Sequence, residues 1–128
     1  MVKDKAYYDS LTETIIGCAY KVGSALGYGY LEKVYENSLV IELMASGLKT
    51  SQQQSVKVCY EGQVVGDYFV DLMVEDEIVI ELKAGKALDE SHLAQCLNYL
   101  KATQKSLGML INFGEKKVTV KRVVNGFY

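Results

Sequence analysis

Histidine, cysteine and long apolar runs are all scarce in this chain, and each scarcity removes a class of function. One histidine and three cysteines, Cys18, Cys59 and Cys96, are spread over 128 residues with no Cys-x-x-Cys pair, which argues against a zinc centre. Each cysteine sits among apolar residues, so buried reduced thiols are expected rather than a disulfide or a nucleophile. No apolar run approaches the ~20 residues that span a bilayer. The start, Met1-Val2-Lys3-Asp4-Lys5, lacks the apolar core of a secretory signal, so the expected location is the cytoplasm, with no membrane partner. There is no Gly-rich phosphate loop, zinc finger or helix-turn-helix pattern, which leaves nucleotide hydrolysis and sequence-specific recognition without support.

What is present is ordinary globular material in an amount that predicts a single domain over residues 1–128. The net charge of −2 hides an asymmetry. Residues 1–82 carry 6 basic and 13 acidic side chains, whereas residues 83–128 carry 8 basic and 3 acidic. Lys83, Lys86, Lys101, Lys105, Lys116, Lys117, Lys121 and Arg122 are candidates for a phosphate-facing surface, or for a plain solvated one.

The most informative stretch is Tyr68 to Lys83, two apolar runs joined by Glu75-Asp76-Glu77. In the second run Ile78, Ile80 and Leu82 share one face of a strand and Val79, Glu81 and Lys83 the other; in the first, Asp71 shares a face with Phe69 and Met73. A three-residue turn opposes Val74 to Ile78, and counting back opposes Asp71 to Glu81. Facing carboxylates in a half-buried sheet are destabilising unless compensated. Two compensations fit: a divalent cation such as Mg²⁺, which takes one or two carboxylates and keeps several waters, or neutralisation by Lys83 on a solvated edge.

Upstream, Leu11, Ile15, Cys18, Ala19, Val22 and Leu26 recur at helical spacing from about Asp9, and Gly27-Tyr28-Gly29 ends that pattern. A second helix follows from about Tyr30 to Ala45. There Glu32, Glu36, Leu39 and Leu43 lie on one stripe, so both glutamates are expected to point inward; ordinary N-terminal charge preference accounts for Glu32 and less well for Glu36. Val56, Val58 and Tyr60 begin the strands, and Asp89 or Ser91 caps a third helix reaching about Thr103. On that helix Gln95 and Tyr99 are one turn apart and lie side by side, and His92 is expected to be a surface or satisfied histidine rather than a ligand. Leu107–Phe113 and Val118–Val124 read as closing strands. The predicted order is α-α-β-β-β-α-β-β, an α/β (α+β) fold with a mixed central sheet.

A glutamate on a helix before the sheet, Asp71 followed ten residues later by Glu81-Leu82-Lys83, and a downstream helix with Gln95-x-x-x-Tyr99 together resemble the PD-(D/E)xK nuclease superfamily. Gly29-Tyr30-Leu31-Glu32-Lys33-Val34-Tyr35 also matches the signature of its GxxExxY protein family. Val70 replaces the proline of the superfamily name, in a chain that has no proline. The resemblance covers essentially the whole chain and implies a restriction-endonuclease-like core and a metal-dependent nuclease acting on nucleic acid, DNA before RNA. It implies that Asp71, Glu81 and the Leu82 backbone carbonyl hold Mg²⁺ or Mn²⁺ and that Lys83 positions the attacking water. Glu32 would serve a second metal or its waters, with Glu36 in reserve, while Gln95 fixes the phosphate and Tyr99 supports it. A nuclease-fold module that binds nucleic acid without cleaving it is the alternative. So small a domain also makes a homodimer or larger assembly an expectation.

Overall fold

The computed structural model describes residues 2–126; residues 1, 127 and 128 of the expected domain lie outside these. Helix α1 (Lys5–Leu26) begins ahead of its apolar stripe because the Asp4 carboxylate accepts the Tyr7 N–H at 3.0 Å and caps the first turn. Leu11, Ile15, Cys18, Ala19 and Val22 are buried along one face, and Gly27, at φ 72°, ends the helix. Helix α2 (Glu32–Ala45) buries Tyr35, Glu36, Leu39 and Leu43.

Five strands follow: β1 (Thr50–Tyr60), β2 (Gln63–Val74), β3 (Ile78–Lys83), β4 (Leu107–Asn112) and β5 (Thr119–Val124), lying in that order across one sheet. The first three form an antiparallel meander, β4 joins β3 in parallel, and β5 returns antiparallel. A parallel pair needs a long crossover, and helix α3 (Glu90–Thr103) provides it. The Asp89 carboxylate accepts the N–H groups of Ser91 and His92, and His92 Nδ1 accepts the Asp89 N–H, so the lone histidine is satisfied within its own cap.

The two helices α1 and α2 cover one face of the sheet over Leu72, Val74, Ile78, Ile80, Leu82, Met109 and Ile111. Helix α3 covers the other, where Cys96, Tyr99 and Leu100 meet Val56, Val70, Met73 and Val79. Strands β3 and β4 are therefore enclosed from both sides, which is why their sequences read as nearly unbroken apolar runs.

Strands β1 and β2 outrun β3. Extending the β2–β3 register places Lys83 opposite Phe69, and beyond that point β1 and β2 continue as a two-stranded arm to the turn at Glu61-Gly62. Cys59 lies on this arm and is exposed, contrary to the expectation of three buried thiols; the arm stands away from α3 there, whereas Cys18 and Cys96 are buried on the inward faces of α1 and α3. Strand β1 also begins at Thr50, well before Val56, because its first half pairs with the buried end of β2 while presenting polar side chains that carry no apolar alternation.

The loop after Lys83 is fixed from below. Asn112 is fully buried, and its amide accepts from the N–H groups of Gly85 (3.2 Å) and Gly114 (3.0 Å) and donates to the Gly85 carbonyl (3.0 Å). Gly114 packs so tightly there that an added Cβ would sit 2.1 Å from the Gly85 oxygen and 2.4 Å from its nitrogen. Gly114→Ala is expected to destabilise the protein by about 1–3 kcal/mol, read as a lower urea midpoint with an unchanged m-value.

Candidate active site

Asp71 and Glu81 meet where the sheet changes its pattern. Val74 opposes Ile78 and Leu72 opposes Ile80 as the turn predicted, and the next pair in register is Asp71 with Glu81. The ladder stops at that pair and side chains take over: Leu82 N–H donates to Asp71 Oδ2 at 2.8 Å, and Asp71 N–H donates to Glu81 Oε1 at 3.3 Å. Side-chain alternation slips here as well. Val70 and Met73 both belong to the α3-side cluster, while Leu72 and Val74 belong to the other. Asp71 therefore does not continue a simple face from Phe69 to Met73. It sits at the slip, because its carboxylate replaces a ladder bond.

Opposite Asp71 on β1 stands Gln53, with φ at 52° in the middle of a strand. A non-glycine residue in that region is strained, and such strain concentrates at functional sites. The Gln53 amide donates to Glu36 Oε1 at 3.0 Å and to Asp71 Oδ1 at 3.3 Å, so one nitrogen links the helix α2 carboxylate to the strand carboxylate. Gln52 donates to Glu36 Oε2 at 2.7 Å, and Lys33 pairs with the same oxygen at 2.9 Å. Neither glutamine was foreseen. Three consecutive glutamines carry no sequence signal that picks out the one whose backbone turns left-handed.

Glu36 is buried and reaches the pair through Gln53, whereas Glu32 is exposed and does not point inward as expected. The helical stripe fails at its start because the first turn of α2 stands clear of the sheet. Leu31 is 81% exposed and Val34 37%, and burial begins at Tyr35. The tyrosine of the Gly29-to-Tyr35 signature is structural: its hydroxyl donates to the Gly27 carbonyl at 2.6 Å and accepts the Tyr30 N–H at 3.2 Å, and its ring stacks on Phe113. Tyr35→Phe is expected to cost about 1–3 kcal/mol in thermal unfolding while leaving cation binding, measured by calorimetry, unchanged.

Burial pushes the Glu81 carboxyl up to about 9, with the nearby Asp71 charge adding to the effect. Lys83 pulls the other way and is outweighed. Lys83 is half-buried and its side chain makes no hydrogen bond or ion pair among the described residues, which leaves its ammonium available. Simple neutralisation by Lys83 thus fails to satisfy the pair. Among the described residues no three acidic, histidine or cysteine side chains cluster into a ready-made metal cage. Two carboxylates of hard oxygen, one of them held neutral by its surroundings, nevertheless fit a divalent cation that keeps part of its water shell.

From the α3 side, Gln95 Nε2 donates to the Tyr99 hydroxyl at 3.1 Å, so these two are neighbours as their spacing predicted. Burial, then the charges of Glu81 and Asp71, raises the Tyr99 hydroxyl above its ordinary range, and its ring packs in the cluster that holds Val70, the chain neighbour of Asp71. The basic surface is only partly free: Lys105 pairs with Asp76 and Arg122 with Asp9.

The fold has solved counterparts. The crystal structure of SSO0001 aligns at a TM-score of 0.55 with 17% identity, covering 96% of this chain and 62% of that one. An alkaline exonuclease (LHK-Exo) from Laribacter hongkongensis aligns at 0.51 with 10% identity, covering 84% of this chain and 76% of its own. The chain thus spans under two thirds of the length of SSO0001. No curated protein matches it by sequence. The architecture is restriction-endonuclease-like, and the sequence profile of the PD-(D/E)XK nuclease superfamily matches residues 9–123, so the chain belongs to that superfamily.

Proposed function

We propose that residues 1–128 form one metal-dependent nuclease domain that hydrolyses phosphodiester bonds, in DNA rather than RNA, in the cytoplasm. The observation that carries this reading is the Asp71–Glu81 pair with Lys83 beside it, whose ammonium has no partner among the described residues. Asp71, Glu81 and the Leu82 carbonyl would hold Mg²⁺ or Mn²⁺. Such a cation, when bound, supplies Lewis acidity toward the scissile phosphate and a more acidic water. The Lys83 ammonium orients the attacking water and stabilises negative charge that develops on the phosphate. Glu36, rather than Glu32, is the supporting carboxylate, since Gln53 connects it to Asp71. Gln95 contacts the phosphate or the strand that carries it, and Tyr99 holds the Gln95 amide in place. The segment Gly29 to Tyr35 supports placement in the GxxExxY group, with Tyr35 as its structural member.

The test is cleavage of single-stranded, duplex and branched DNA and of RNA in Mg²⁺ or Mn²⁺, with Asp71→Ala in parallel. Products that need the cation and vanish in the variant support the nuclease. Cation binding by calorimetry with no product on any substrate overturns cleavage in favour of a binding module.

A further inference from the structure

We propose that the cleft between the β1–β2 arm and helix α3 is a subsite for unpaired nucleobases, so that the strand presented to Asp71 and Glu81 is single-stranded. This deepens the nuclease reading and rests on it. The cleft has a volume of about 890 Å³, ample for a base and its sugar. It forms because the arm leaves the sheet where β3 ends, while α3 continues alongside it.

The lining has the chemistry of base recognition. Tyr68 stands half-exposed on the arm, its ring centroid 5.9 Å from that of the buried Tyr99 and tilted at 48°, so Tyr99 forms a floor and Tyr68 a wall with an open aromatic face. Aromatic faces of this kind accept any base by stacking. The amides of Gln95, Asn98 and Gln104 line the same cleft, and each offers both a donor and an acceptor to a base edge. Lys57 and Lys101 flank it, and among the described residues no carboxylate lines it. Lys57 is tied to Asp67 at 2.8 Å, while Lys101 makes no ion pair among the described residues, which leaves it available to a backbone phosphate.

Position completes the argument. Tyr99 lines this cleft and packs in the same cluster as Val70, the chain neighbour of Asp71, and Gln95 is hydrogen-bonded to it, so a strand whose base stacks on Tyr68 has the carboxylate pair within reach. A paired base cannot enter without being flipped from its duplex, which costs a few kcal/mol in base-pairing and stacking. The cleft therefore selects strands that are already unpaired.

The experiment is fluorescence anisotropy in EDTA, where no cleavage occurs, using labelled oligothymidylate on the order of ten nucleotides long and a blunt duplex of equal length. The single strand is expected to bind at least about tenfold more tightly; Tyr68→Ala should weaken it about tenfold, and Tyr68→Phe less than about twofold. Ala94→Glu, an exposed α3 position that puts a negative charge in the cleft, should weaken single-strand binding in a protein whose thermal unfolding is unchanged. Equal affinity for duplex, or no effect of Tyr68→Ala and Ala94→Glu, overturns the subsite. If those variants bind normally while the wild type cleaves with Mg²⁺, the subsite fails and the nuclease stands. Loss of binding in Tyr68→Ala without any cleavage by the wild type gives the reverse.

Discussion

Lys83→Ala is expected to lower the cleavage rate constant by about 10³-fold with little change in KM. The size follows from position. The charge of Lys83 bears on Glu81, and among the described residues it is spent on no side-chain partner. An ammonium held in this way interacts more strongly with a phosphate that is gaining negative charge than with the ground-state diester, so its loss falls on kcat. Lys83→Arg is expected to rescue poorly, because a planar guanidinium carries its charge on a different fork and reach. Single-turnover rates with saturating substrate check this directly. A rise in KM at constant kcat would instead make Lys83 a strand-binding residue.

The second large effect is on stability, and its sign is set by Glu81. The folded-state carboxyl is raised from 4.5 to about 9, so between those values the folded protein binds a proton that the unfolded chain has released. Stability then falls as pH rises: the contribution is fully present below about 4.5 and is lost progressively up to about 9. Without metal, the midpoint of thermal unfolding should therefore drop steadily from pH 5 to pH 9. Mg²⁺ should reverse the trend, because a cation stabilises the ionised pair and binds only the folded chain, and the gain should grow with pH. Asp71→Asn should flatten the slope, since it removes the charge that adds to burial in raising Glu81. A metal-free midpoint that rises from pH 5 to pH 9 would contradict this picture of the pair.

The hairpin was legible because its evidence is local. A three-residue turn and a two-residue period suffice to oppose Asp71 to Glu81, and the register of Val74 with Ile78 bears out that count. The element order and the neighbours Gln95 and Tyr99 were readable for the same reason. What failed depended on where elements end in space. Glu32 and Glu36 share a helical stripe, yet only Glu36 meets the sheet, because the first turn of α2 overhangs it. Cys59 has apolar neighbours in sequence and a strand conformation, but its strand has left the layer that α3 packs against. Gln53 is legible only through its backbone angle, which no side-chain pattern encodes.

The slip at Asp71 has a consequence for how this protein can change. On the near side of that residue, β2 is locked between helices on both faces, and inserting one residue would turn a whole core outward. On the far side, the arm pairs only with itself and ends in an open turn at Glu61-Gly62. Lengthening it by matched pairs of residues alters neither the core nor the carboxylates. The outer part of the segment that shapes the cleft can thus vary in length while the segment that holds the chemistry stays fixed, one as an adjustable jaw and the other as a fixed anvil.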